Sequence, residues 1–241
     1  MFENMLNGIQ GFFAKFQELF IQDFIDKDRW VYLKDGLLVT LQITFFAVII
    51  GILIGFIIAI IRTTHDKTGK LKILNFFAKV YLTVIRGTPI VVQLLIIYFI
   101  IFASVDIDKV LVACLAFGIN SGAYVAEIVR GGINSIDEGQ FEAGRSLGFN
   151  YFQTMLYIIM PQAFKNIVPS LANEFIVLLK ETSVAGYIAL EDLTKGGDII
   201  RSQTYDAYLP LLGVAAIYLV LVMVFEKLVA LLERRLRASE R

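Results

Sequence analysis

Charge, cysteine and histidine are all scarce in this sequence, and each shortage removes a class of protein. Charged residues make up 18% of the 241 and hydrophobic residues 57%, whereas a soluble domain carries roughly a quarter charged residues. That balance excludes an ordinary soluble domain, a disordered chain and a basic nucleic-acid-binding domain. The single cysteine, Cys114, excludes an intrachain disulfide and supplies no metal-site spacing; inside an apolar run it reads as a small buried hydrophobe. The single histidine, His65, lies in a basic loop and reads as a solvated surface residue. It rules out a histidine-based dyad within the apolar runs, and neither H-E-x-x-H nor G-x-S-x-G occurs. The chain is therefore expected to be no enzyme, with no catalytic residue, no metal ligands and no cofactor of its own.

What is abundant is long apolar sequence. Mean hydropathy is +0.71, and about 20 consecutive apolar residues suffice to cross a hydrocarbon core of about 30 Å, so the class indicated is an all-α polytopic membrane protein. Residues 1–35 form an amphipathic segment, with Phe2, Met5, Leu6, Ile9, Phe12, Phe13, Phe16, Leu19 and Phe20 at three-and-four spacing. Glu3, Lys15 and Glu18 interrupt it, so it is expected to lie on the membrane surface and to be neither a cleaved signal nor a span. Leu37 to Ile61 is free of charge and is the first span; Gly51 and Gly55 within it make a small-xxx-small face suited to close helix packing. Residues 70–86 look amphipathic, and the charge-free run Gly87 to Val105, with Pro89 in its first turn, is expected as the second span.

The third span is expected at about 110–129. The fourth, over 152–180, holds Pro161, Lys165, Pro169 and Glu174, which predicts a kinked or discontinuous helix facing protein or water. A polar loop over 181–206 leads to a fifth span near 208–225. Five spans put the termini on opposite sides. With the amino terminus outside, the inner segments hold fourteen of the 22 Lys and Arg residues and the outer segments seven, so the positive-inside rule puts the amino terminus out and the carboxyl terminus in the cytoplasm.

Between the third and fourth spans, on the expected inner face, stands Glu142-Ala143-Gly144-Arg145-Ser146-Leu147-Gly148, followed by nine residues and Ile158-Ile159-Met160-Pro161. Physically this is a short helix with small residues on one side, a glycine stop, and a proline opening the next helix. It reads either as a helix that docks into a partner's groove or as an ordinary interfacial helix.

The spacing resembles the EAA loop of ABC importer permeases, with Gly144 where the second alanine is usual and Met160 where leucine is usual. Three further blocks are similar to the polar amino-acid uptake permeases. They are Arg86-Gly87-Thr88-Pro89 with Gln93, Ala123-Tyr124-Val125-Ala126-Glu127-Ile128-Val129-Arg130-Gly131-Gly132-Ile133, and Asn173-Glu174-Phe175-Ile176-Val177-Leu178-Leu179-Lys180-Glu181-Thr182-Ser183. The resemblance covers about 36–237. It implies a type I importer permease domain over 36–241 with its coupling loop at about 137–161, in the inner membrane of a prokaryotic cell. It also implies a second permease copy or sister permease, an ABC ATPase subunit that binds ATP and Mg, and an extracytoplasmic amino-acid-binding protein. Within the loop, Glu142, Ala143, Gly144, Arg145, Gly148 and Pro161 would couple to the ATPase.

An ionisable group inside a span costs at least about 2.5–3.5 kcal/mol when uncompensated and is a functional candidate by default. Glu174 lies about 20 Å along the helix beyond Pro161, beside Asn173; it reads as a receptor for an amino-acid ammonium or as a polar clamp between helices. Asn120, Tyr124 and Glu127 share one face of the third span and are candidates to line the path, although Glu127 also stands three residues from Arg130 at ion-pair spacing. Lys180 reads as a carboxylate receptor or as a snorkelling end residue. Thr182 and Ser183 would cap or line the same end, and Arg86 reads as an interface anchor. An ion-coupled secondary transporter or channel would use the same carboxylates, but the odd span count lacks an inverted repeat.

Overall fold

The computed structural model describes residue 11 and residues 13–238, without the side chains of 237 and 238. Phe2, Met5, Leu6, Ile9 and Phe12 of the amphipathic segment lie outside the described residues. Every regular element among the described residues is helical. Residues 13–20 form α1, which passes through a π turn (Ile21–Ile25) and a 3-10 turn (Asp26–Asp28) into α2, Trp30–Thr68. The first span is thus longer than its charge-free run, because Arg62–Thr68 continue the helix until Gly69, at φ 68°, ends it with its N–H on the His65 carbonyl.

The second span differs from expectation. α3 (Lys72–Gly87) and α4 (Ile90–Ile96, continued by a π turn Ile97–Ile101) meet at 110°. From Ile90 to Ile101 the chain rises only about 18 Å, too little to cross alone, so α3 and α4 together make a broken span or a re-entrant pair. Pro89 causes the break: Thr88 before it is extended, at φ −125° and ψ 145°. The carbonyls opened there are filled by Gln93, whose Nε2 donates to Ile85 O at 2.7 Å and Thr88 O at 3.0 Å.

α5 (Lys109–Asn134) is capped by Asp108, which accepts from the N–H groups of Val110 and Leu111. It is the most deeply buried of the span-length helices, and α2 lies along it. A Cβ at Gly55 would stand 2.4 Å from Val125 Cγ1 and one at Gly51 2.9 Å from Ser121, so the small-residue face is the α2–α5 contact. Ile43, Ala47, Leu94, Phe117 and Leu178 close the core around it.

α6 (Glu138–Ser146) follows, then α7 (Tyr151–Thr154), a π turn (Met155–Ile159) and α8 (Met160–Glu181). The fourth segment is helical throughout 151–181, changing to π geometry only at Met155–Ile159 and carrying Pro169 inside α8 without a break, so the expected gap at its prolines and charges does not occur. Among the described residues three helices, α2, α5 and α10 (Tyr208–Ala238), are long and apolar enough to cross a membrane, four if α3 with α4 counts as one. α8 is too polar to qualify on composition.

The loop expected over 181–206 is instead helical: a 3-10 turn (Thr182–Ile188) and α9 (Leu193–Thr204). Asp192 caps α9 by accepting from the N–H groups of Thr194 and Lys195 at 3.1 Å, and Leu193 and Ile200 pack on Phe24, Leu33 and Val214. The segment after α1 docks on the far end of α9. Arg29 Nε donates to Gln203 Oε1 at 3.2 Å, and Arg29 Nη1 reaches the Gln22 carbonyl. Gln22 Nε2 donates to Thr204 O at 3.3 Å. Phe13, Phe16, Phe20, Ile21 and Ile25 remain exposed.

Candidate functional site

The first cluster of candidates sits on α6. Asp137 starts this helix by accepting from Gly139 N–H at 2.7 Å. Its inner side is fixed: Phe141 packs with Ile133, Ile159 and Ala163, and Lys67, from the end of α2, pairs with Glu138 and lies 4.8 Å over the Phe141 ring. Gly144 is buried against α7, where a Cβ would stand 2.6 Å from Thr154 Cγ2. Gly148, at φ +81°, ends the helix; its N–H reaches Arg145 O at 2.9 Å and that of Phe149 reaches Gly144 O at 3.0 Å. Asn150 and Gln153 then cap each other reciprocally to start α7. Glu142, Ala143, Arg145, Gly148 and Pro161 are exposed, so one side of α6 is braced on the bundle and the other is presented outward.

The second cluster is inside the bundle. Glu174 on α8 is 8% exposed and accepts from Ser121 Oγ on α5 at 2.8 Å. Asn173 beside it is exposed, so neighbours in sequence face different surroundings. The face expected to join Asn120, Tyr124 and Glu127 is divided. Asn120 is buried and donates from Nδ2 to Gln93 Oε1 at 3.0 Å, because the α3–α4 bend covers that part of α5. Tyr124 and Glu127 lie beyond the bend beside Arg86. Arg130 Nη2 donates to Glu127 Oε2 at 2.9 Å, which is the ion pair their spacing predicted. Arg86 Nη1 stands 3.9 Å from Glu127 Oε1, with its guanidinium 5.9 Å from the Tyr124 ring centroid.

Lys180 is exposed near the end of α8. Thr182 closes that helix by donating from Oγ1 to Leu179 O at 2.8 Å. Sequence reasoning missed Ser121 and gave Gln93 only a place in a motif; Arg86 it read as an anchor. Pro89 was the available signal for Gln93, since a proline break frees carbonyls that a nearby amide can fill.

Beyond α8, outside the spans, a cavity of about 410 Å³ is lined by Ser183, Tyr187, Asp192, Lys195, Asp198 and Arg201 among others. Bonds from Lys195 and Arg201 hold the Asp198 carboxyl below its ordinary range, whereas burial pushes that of Asp192 up against the backbone N–H groups that favour its charge. Of the residues considered for substrate, only Ser183 lines this cavity.

Residues 51–238 match the family described as binding-protein-dependent transport system inner membrane component. A Rickettsia typhi protein named as a glutamine transport system permease is 39% identical over 208 residues, 86% of this chain and 93% of that one. The arginine transport system permease protein of Bacillus subtilis is 36% identical over 211 residues, 87% of this chain and 94% of that one. Among solved structures, an amino acid ABC transporter crystallised with histidines matches with a TM-score of 0.80 and 44% identity, over 88% of this chain and 98% of that chain.

Proposed function

The chain belongs to the family of binding-protein-dependent transport system inner membrane components, and from that premise we propose that it is the permease subunit of an amino-acid ABC importer. It is a membrane subunit and not an enzyme; ATP hydrolysis belongs to a separate subunit, which holds ATP and Mg. Residues 36–241 form the permease domain, preceded by an amphipathic segment over 1–35. α2, α3 with α4, α5, α8 and α10 make five crossings, and the distribution of Lys and Arg supports an outer amino terminus and a cytoplasmic carboxyl terminus.

The observation that carries this reading is α6, braced by Lys67, Phe141 and Gly144 on one side and exposing Glu142, Ala143 and Arg145 on the other. An exposed helix held rigidly at its base transmits a push from a docked partner into α7 and α8. Glu142 fixes it in the ATPase cleft, Arg145 meets acidic groups there, and Gly148 and Pro161 set the turn into α8. Two permease subunits enclose the path, and an extracytoplasmic binding protein delivers the amino acid. Glu174, Asn173, Asn120, Tyr124, Glu127 and Lys180 are the polar groups available to that path, Asn120 through its bond to Gln93 in the present conformation.

The test is Glu142→Lys. The variant is expected to insert normally but to bind the ATPase weakly and to lose uptake by about tenfold or more. Normal transport with normal ATPase attachment would remove α6 as the coupling element, and uptake driven by an ion gradient in proteoliposomes without ATPase would replace the importer by a secondary transporter.

A further inference from the structure

Three charges at the open side of the α3–α5 contact leave one cation weakly engaged. Glu127 is satisfied by Arg130 at 2.9 Å, but Arg86 approaches its other oxygen only to 3.9 Å, too far for a hydrogen bond. The Arg86 side chain is 47% exposed and Tyr124, whose ring it faces, is 38% exposed. Two arginines against one glutamate leave the cluster with an excess positive charge beside the Tyr124 ring. A compensating anion is favoured at such a place. The guanidinium presents several N–H donors in a fork that fits a carboxylate with two parallel bonds, and none of them is held at hydrogen-bond distance by Glu127.

We infer that Arg86 and Glu127 form a split ion pair that receives a zwitterion, Arg86 taking the substrate α-carboxylate and Glu127 Oε1 the α-ammonium, over the Tyr124 ring. This rests on the reading of the chain as an amino-acid permease and names the group in it that recognises the carboxylate, for which the sequence had offered Lys180, equally readable as a snorkelling end residue. Insertion exchanges one long contact for two charge-assisted hydrogen bonds, while Arg130 keeps Glu127 oriented. Because every α-amino acid carries the same two groups, this subsite recognises the class and leaves the side chain to be read elsewhere.

The experiment measures binding of tritiated L-glutamine, L-arginine and L-cystine to the purified permease–ATPase complex in nanodiscs without binding protein, in competition with the α-carboxamide of each. In the wild type the amide is expected to bind at least tenfold more weakly than the acid. Arg86→Gln is expected to weaken the acid to the level of the amide while changing the amide little, and Arg86→Lys to recover part of the loss. Equal effects of Arg86→Gln on acid and amide, no effect on either, equal binding of acid and amide by the wild type, or no binding of any of the three by the wild type would each overturn the inference. ATPase recovered in the same preparations separates these failures from failure of the importer reading, which alone removes the ATPase from the wild type.

Discussion

Gly144 stands where the loop it resembles carries alanine, and Thr154 is the reason: the α6–α7 contact leaves no room for a Cβ, which would lie 2.6 Å from Thr154 Cγ2. Gly144→Ala raises helix propensity by about 1 kcal/mol but overpacks this contact, at a cost of about 1–3 kcal/mol. The variant is expected to melt lower and couple worse, and Thr154→Ala in the same chain to restore both; melting curves and coupled ATP hydrolysis of the single and double variants check this. Glu174→Gln keeps an acceptor for Ser121 Oγ but removes the charge. Uptake is expected to fall about tenfold or more with ATPase attachment unchanged, and unchanged KM and maximal rate would leave Glu174 a clamp between α5 and α8. That Glu174 would lie inside the bundle was legible from its depth beyond Pro161. Its partner was not, since a serine in a run of small residues looks like packing until α8 is laid against α5.

At the scale of elements, charge-free length was the readable signal. α2, α5 and α10 follow from it, whereas the charges and prolines of the fourth stretch do not interrupt it: residues 151–181 are helical throughout, with a π turn at Met155–Ile159 and Pro169 inside α8. The 110° bend between α3 and α4 was not legible, because Pro89 in a first turn fits a straight helix equally well; the extended Thr88 and the amide of Gln93 decide it. α9 was missed because its polar residues outweigh its pattern, although Asp192 directly before Leu193-Thr194 is a capping signal. The docking of the segment after α1 also depends on tertiary contact. Asp23 is fully buried there, and burial with the facing Asp206 carboxyl pushes its pKa from 3.8 to about 6, against Thr204 and Arg29, which pull it down. The folded state thus holds this proton more tightly than the unfolded chain. Its contribution is complete below 3.8 and is lost as pH rises through about 6. Hydrogen exchange of the 22–29 amides, corrected for intrinsic rates, is expected to show firmer docking at pH 5 than at pH 7.5. Asp23→Asn is expected to keep the firmer state throughout, and a pH-dependent Asn variant would contradict this origin.

The whole molecule is a bundle around α2 and α5 with two kinds of open surface. α10 exposes Leu219, Val220, Met223, Val224 and Leu228, and α3 exposes Ile73, Phe76, Phe77, Val80 and Val84, apolar faces suited to lipid or to another membrane helix. α6 exposes the polar set Glu142 and Arg145 instead, which suits a protein partner in water. Coupling of the permease to ATP hydrolysis requires that second surface to be occupied. The most direct measurement is purification of the tagged chain from its native membranes in mild detergent, with identification and stoichiometry of whatever accompanies it. One ABC ATPase per permease is the expected result, with either a second copy of this chain or a sister permease. Absence of any ATPase, under conditions that preserve other membrane complexes, would contradict the account.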